Sequence, residues 1–166
     1  GGAVDVMSNV DVQGPLSTYH QWRMGIIKDS DITQVWKTQT IDLKYTNSPT
    51  GTRAIFVRDG KQTYWIEFRK AADGYTPGLA IYRTDPPPSS SIVSPNVSDI
   101  TDATTQAVTT DVWLMNLDTY RYTSSATTSG SPILPLGRTF LDSTGNISVS
   151  AIQKDADTVS VTVTRK

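Results

Sequence analysis

Few residues in this chain could act as a general base or bind a transition metal. His20 is the single histidine among 166 residues, and histidine is the usual base and the commonest metal ligand near neutral pH. A catalytic zinc ion takes several protein ligands, so the chain cannot build a multi-histidine zinc site alone. A Ser-His-Asp triad with His20 is formally possible, but no nucleophile motif of the G-x-S-x-G type is present. The simpler interpretation is that His20 packs or forms hydrogen bonds at the end of a short helix.

The only glutamate, Glu67, lies in a run of aromatic and basic residues. A glycosidase needs two opposed carboxylates, and Glu67 with an aspartate of another strand could supply them. We favour a simpler hypothesis, in which Glu67 forms an ion pair with Arg69, or with Arg53 or Arg58, on an exposed sheet face. In that case the loss of the Glu67 charge costs less than about 1 kcal/mol.

Two pairs of aspartates have the short spacing that calcium accepts on surface loops. Asp29 and Asp31 flank a serine, and Asp99 and Asp102 follow in a polar stretch later in the chain. Neither pair continues into the glycine and glutamate of an EF-hand loop, so turn capping is the default explanation. Calcium binding, with Asp29 and Asp31 as ligands, is the alternative.

The four tryptophans allow a carbohydrate-binding hypothesis, because sugar rings stack on exposed aromatic faces. Each tryptophan lies inside an apolar run, which favours packing in a core or an interface. Trp65 alternates with residues that are expected to face inward. It is therefore the tryptophan that we expect to be exposed.

Composition narrows the class of protein further. The absence of cysteine excludes disulfides, thiolate metal sites and cysteine nucleophiles. The formal net charge is −1 and the basic residues are scattered, which argues against a nucleic-acid partner. No apolar stretch has the length of a membrane span. The Ser- and Thr-rich composition favours export, and the opening Gly1-Gly2-Ala3, without signal-peptide features, indicates a fragment of a longer protein.

The elements that must position these residues are mostly strands. Residues 14–25 are the best helix candidate, with Ser17 or Thr18 as N-cap and Gly25 as the C-terminal stop. From there to the end, short runs alternate apolar and polar residues, which is the period of half-buried strands. The Asp59-Gly60 dipeptide between two such runs predicts a tight hairpin turn, and a second hairpin turns at residues 155–157. The fold class is therefore all-β, an antiparallel β-sandwich preceded by a short helix.

Several short motifs follow one another along the chain. The sequences D-V-M-S at 5–8 and Y-H-Q-W-R-M-G-I-I at 19–27 are similar to the stretch that follows the zinc-binding helix of gametolysin-like and immune-inhibitor-A-like zinc metalloproteases of the metzincin type. Two later stretches, Q-T-Y-W-I-E-F-R at 62–69 and G-L-A-I-Y at 78–82, resemble their Y-x-x-E-x-R strand and the glycine-led strand after it. The sequence L-G-R-T-F at 136–140 is similar to their closing β segment. The zinc motif H-E-x-x-H is missing.

The resemblance implies how the chain is organised. Residues 1–27 are then a remnant of a catalytic domain, in which Met7 is the Met-turn residue beneath the zinc of the parent enzyme, and residues 28–166 are a β-sandwich domain. The zinc ligands are expected upstream of Gly1. The chain itself is expected to carry no catalytic residue and no cofactor.

The implied function is that of a non-catalytic C-terminal region of a secreted or cell-surface bacterial zinc metallopeptidase. Its expected partners are the upstream catalytic domain of the same chain and, at a surface, protein or glycan. The alternative is a free-standing extracellular adhesion or carbohydrate-binding module. The two hypotheses differ in whether the reading frame upstream of Gly1 encodes a histidine-rich zinc motif.

Overall fold

The computed structural model describes residues 15–59, 62–70, 77–84, 112–114, 133–142 and 144–166. In this part of the chain one short helix, α1 (Thr18–Arg23), and one 3₁₀ turn (Asp29–Asp31) precede the strands. The strands are β1 (Ile32–Val35), β2 (Gln39–Lys44), β3 (Ala54–Asp59), β4 (Gln62–Arg69), β5 (Gly78–Thr84), β6 (Val112–Leu114), β7 (Ile133–Pro135), β8 (Thr139–Leu141), β9 (Ile147–Asp155) and β10 (Thr158–Arg165). The predicted all-β class is confirmed.

The strands form two sheets. Sheet A has the order β1-β3-β4-β5-β6, and β7 also pairs with β5. Sheet B has the order β2-β10-β9-β8. The pairs are antiparallel except for β1 and β3, which run parallel, with Ile32 opposite Ala54 and Val35 opposite Val57. The arrangement is a β-sandwich with one mixed sheet.

The inter-sheet core is the apolar cluster between the two sheets. It arises because residues two apart in a strand point to the same face, so that alternating apolar residues of both sheets meet. The cluster consists of Val35, Leu43, Ile55, Val57, Tyr64, Ile66, Phe68, Leu79, Ile81, Leu134, Phe140, Ile147, Val149, Ala151, Val159, Val161 and Val163. Each of these side chains is buried.

A second apolar cluster, the outer cluster, covers the opposite face of sheet A. It contains Tyr19, Trp22, Ile27, Ile32, Ala54, Phe56, Trp65, Ala80, Tyr82 and Ile133. The expectation that Trp65 is exposed is wrong, because α1 covers this face and leaves the side chain 1% exposed. Trp36, just after β1, is instead 59% exposed.

The helix ends where the sequence predicts. The Ser17 hydroxyl accepts a hydrogen bond from the backbone N–H of His20, which satisfies one free donor of the first turn. At the other end the N–H of Ile26 donates to the Gln21 carbonyl and the N–H of Gly25 donates to the Trp22 carbonyl. This is the Schellman pattern, and it needs the positive φ of 73° that Gly25 adopts.

Both predicted hairpins are present, with one correction. In the first, Asp59 is opposite Gln62, so Asp59 is the last residue of β3 and does not lie in the turn. Gly60 lies outside the described residues. The second hairpin joins β9 and β10, as predicted. Within the described helices, none is long and apolar enough to cross a membrane.

The inter-sheet core makes a direct stability test possible. Ile66 is fully buried in it, whereas Ile152 on β9 is 65% exposed. We expect Ile66→Ala to lower the free energy of unfolding by about 2–5 kcal/mol, because the truncation leaves a cavity between the sheets. The matched change Ile152→Ala should cost less than about 1 kcal/mol. Urea denaturation of both variants measures the difference, and equal losses would contradict the assigned core.

Candidate functional site

The candidate site is a buried polar network around Glu67, on the outer face of sheet A. The Glu67 side chain is fully buried and so is that of Arg69, two residues along β4. The carboxylate oxygen Oε1 accepts from Arg69 Nε at 2.8 Å and lies 2.6 Å from Arg69 Nη2. The Tyr82 hydroxyl of β5 donates to the same oxygen at 2.8 Å. One carboxylate oxygen is thus held entirely by residues of sheet A.

The other oxygen of Glu67 holds the start of α1. The backbone N–H and the hydroxyl of Thr18 both donate to Oε2, each at 2.6 Å. The Thr18 hydroxyl in turn accepts from Trp65 Nε1 at 2.7 Å. A negative charge at the first residue of a helix is favoured by the free N–H groups there. Glu67 therefore anchors α1 to the sheet.

Arg69 extends the anchor to the chain before the helix. Its Nη1 donates to the Pro15 carbonyl at 2.7 Å. Burial, the largest influence, lowers the pKa of Arg69, but the charge of Glu67 and the neighbouring Tyr82 raise it more, so that the pKa lies above its ordinary value. Arg69 therefore stays charged and balances the buried carboxylate.

Burial decides what this network can do chemically. Glu67 has hydrogen-bond donors on both oxygens and no exposed surface, so it has no route to a substrate and does not serve as a general acid or base. Glu67 and Arg69 do form an ion pair, but the expectation of an exposed one is wrong. Of the other arginines proposed as partners, Arg53 pairs with Asp31 instead.

His20 belongs to the cap of α1. Its Nδ1 lies 2.8 Å from the Ser17 hydroxyl. Such a pair has the composition of a nucleophile and its base, but Ser17 is fully buried as the helix N-cap. A buried hydroxyl cannot attack a substrate, so the geometry agrees with the simpler interpretation of His20.

Asp29 and Asp31 lie together in the 3₁₀ turn, and both carboxylates have protein partners. Asp29 Oδ1 accepts from Trp22 Nε1 at 2.7 Å. Asp31 Oδ2 accepts from the N–H of Lys28 at 2.8 Å and pairs with Arg53 at 2.7 Å. Burial, the largest influence, raises the pKa of Asp31, but these two partners together hold it below the usual value. Calcium binding at this turn stays a prediction.

Three predicted site residues lie outside the described residues: Met7, Asp99 and Asp102. Among the residues that are described, no group of three or more histidine, aspartate and glutamate side chains could hold a metal ion. Zinc binding in a longer protein stays a prediction.

A polar cluster that the sequence analysis missed closes one end of the sandwich. The Thr144 hydroxyl contacts Asp142 Oδ2 at 2.6 Å and Asp59 Oδ2 at 3.1 Å, and so bridges the two sheets. Asn146 also donates to Asp59. Burial, followed by the charge of Asp142, raises the pKa of Tyr64 to about 12. The turn-forming sequence around Gly145 was a signal for a loop, but not for this pairing with β3.

Comparisons of the chain with protein-family models, with curated proteins and with solved structures find no match. The resemblance to the metalloproteases therefore rests on the sequence motifs alone. Residues of the stretches at 19–27, 62–69 and 78–82 meet on the outer face of sheet A, whereas Phe140 of the stretch at 136–140 lies in the inter-sheet core.

Because the Glu67–Arg69 ion pair is buried, removal of the Glu67 charge should strongly reduce the stability of the protein. Glu67→Gln keeps the shape of the side chain but leaves the charge of Arg69 buried without a counter-charge. We expect a loss of about 3–5 kcal/mol in the free energy of unfolding, measured by urea denaturation. The control is Asp42→Asn, which breaks the exposed pair with Lys154 and should cost less than about 1 kcal/mol. Equal effects would mean that the network contributes no more than a surface pair.

The raised pKa of Tyr64 predicts a dependence of stability on alkaline pH. The pKa is about 12 in the folded protein and 10.0 for a free tyrosine, so the unfolded state releases this proton first. The stabilisation is complete below pH 10 and is lost as the pH rises towards 12. Tyr64→Phe should lose less stability than the parent protein over this interval. Identical pH profiles would show that Tyr64 does not titrate abnormally.

Proposed function

We propose that this chain is the non-catalytic C-terminal β-sandwich region of a secreted zinc metallopeptidase, and that it supports the polypeptide that precedes it. One observation carries the proposal. The stretches that resemble the metalloproteases at 19–27, 62–69 and 78–82 come together in space, on the outer face of sheet A. The second and third stretches are the neighbouring strands β4 and β5, and the first packs on a face that they share.

The contacts between these stretches are specific. The Tyr19 and Trp22 rings of the first stretch pack against Trp65 of the second, with ring centroids 5.4 and 5.6 Å apart. Tyr82 of the third stretch joins the second through Glu67. The three stretches are therefore parts of one structural unit.

The geometry also suggests how the sandwich would support the polypeptide that precedes it. Pro15 and Thr18 are fixed to β4 through Arg69 and Glu67. The backbone at Pro15 is thus held at a defined point on the surface of the sandwich. In the proposed parent protein this point would orient the catalytic domain. The described residues supply no step of peptide-bond hydrolysis.

The alternative of a carbohydrate-binding module has less support. It relied on an exposed aromatic face, and the tryptophan expected to provide it, Trp65, is buried in the outer cluster. Among the side chains that the structure describes, Trp36 is the exposed tryptophan, and one aromatic side chain offers one stacking surface. We therefore favour the supporting role.

The proposal predicts the behaviour of two proteins. The present chain should retain no stoichiometric zinc after dialysis and should leave casein uncut, because a single histidine cannot hold a catalytic zinc ion. A longer protein that includes the upstream reading frame should contain a histidine-rich zinc motif and cleave casein until a chelator is added.

Zinc content by atomic absorption and casein cleavage, each with and without chelator, are the measurements. Chelator-sensitive cleavage by the present chain would overturn the non-catalytic assignment. An upstream frame without zinc ligands would overturn the assignment to a metallopeptidase.

A further inference from the structure

Residues 15–27, here called the docking segment, contact sheet A through hydrogen bonds near the start of α1 and through the buried side chains of Tyr19, Trp22 and Ile27. Two residues, Pro15 and Thr18, make the hydrogen bonds to Glu67, Trp65 and Arg69 described above. Within the segment, Gln21 Nε2 donates to the Leu16 carbonyl at 2.7 Å, and the Schellman bonds close its other end. These internal bonds connect its two ends, so we expect its residues to leave the sheet together.

The inter-sheet core does not depend on this segment. The inter-sheet core and the outer cluster share no residue, because they lie on opposite faces of sheet A. Tyr19, Trp22 and Ile27 belong to the outer cluster alone. Removing the segment would therefore leave the contacts between the two sheets in place.

The buried ion pair also stays with the sheet. Glu67, Arg69 and Tyr82 all belong to β4 and β5, so their mutual contacts persist when the docking segment leaves. A buried pair bears a large desolvation penalty, and water regains access to it once the segment is gone. This gain in hydration makes separation less costly than for an entirely apolar interface.

A short stretch about which the docking segment could rotate away from the sandwich lies directly after it. Asp31 is fixed to the sandwich, since its carbonyl accepts from the N–H of Arg53 and its carboxylate pairs with the same residue. Between this anchor and Ile27 lie Lys28 and two residues of the 3₁₀ turn. Rotation here needs the loss of the Trp22–Asp29 hydrogen bond, but not of any strand pairing.

From these contacts we propose that the docking segment detaches from sheet A as one unit while the two-sheet sandwich stays folded. Detachment would change the position and direction of all the chain before Pro15. The inference goes beyond the supporting role proposed above and does not require it, because every group involved lies in the described residues.

Native-state hydrogen exchange of the whole chain, followed by NMR at several low urea concentrations, tests this inference. A helix of six residues is not stable alone, so detachment removes the protection of the α1 amides. We expect the amides of Gln21, Met24 and Ile26 to exchange at least about tenfold faster than those of β9 and β10. Their rates should also depend less on urea, because detachment exposes less surface than global unfolding.

Two isosteric variants sharpen the test. Thr18→Val keeps the shape but removes the hydroxyl that joins Glu67 and Trp65, and should speed exchange of the α1 amides about tenfold to a hundredfold, because detachment breaks the contacts of this hydroxyl. Thr40→Val, whose hydroxyl contacts Thr162 on the exposed face of sheet B, should leave both sets unchanged. The inference is wrong if the α1 amides exchange at the rate and urea dependence of β9 and β10. It is equally wrong if Ile66→Ala, which weakens only the inter-sheet core that detachment leaves intact, accelerates the α1 amides as much as those of β9 and β10.

Discussion

The burial of one negative charge constrains the whole outer face of sheet A. Glu67 lies on β4, in the interior of the sheet, where a carboxylate is tolerated only if donors surround it. Arg69 and Tyr82 satisfy one oxygen, and the other takes two donors from Thr18. The helix must therefore begin at Thr18 and must approach the sheet with its N-terminal end. Ser17 can then cap the same turn from the position before it.

As a result, the two sheets differ in how many of their faces are buried. In β9 and β10 of sheet B, buried residues alternate with more exposed serine and threonine, as in a sheet with one face in water. In β4 of sheet A every residue from Thr63 to Arg69 is buried, because the inter-sheet core covers one face and α1 the other. The polar and aromatic residues of β4 are thus interior residues. They form the interface between a helix and a sheet.

The sequence predicted the parts of the fold that depend on local chemistry. The alternation of Tyr64, Ile66 and Phe68 with Trp65, Glu67 and Arg69 assigned the two faces of β4 correctly, and Ser17 and Gly25 marked the ends of α1.

The sequence did not predict that both faces of β4 are buried. That outcome depends on Thr18, which contacts Glu67 from 49 residues earlier in the chain. Alternation distinguishes one face from the other, but it does not say which other part of the chain covers a face. The parallel pairing of β1 with β3 was missed for the same reason, since it is a contact between separate elements.

The wrong expectation for Glu67 is explained by the number of hydrogen-bond donors that its carboxylate needs. A lone glutamate between aromatic and basic residues has two explanations, an exposed ion pair or a buried one, and they differ in the number of donors required. The exposed pair needs one arginine, whereas the buried carboxylate needs a donor for each of its lone-pair directions. The neighbours Trp65 and Arg69 already offered more donors than a surface pair uses. Thr18 and Tyr82 supply the rest, and both lie in or next to the stretches at 19–27 and 78–82 that carry the resemblance to metalloproteases. The chemistry of one buried carboxylate thus gives a reason for these separate stretches to occur together in one sequence.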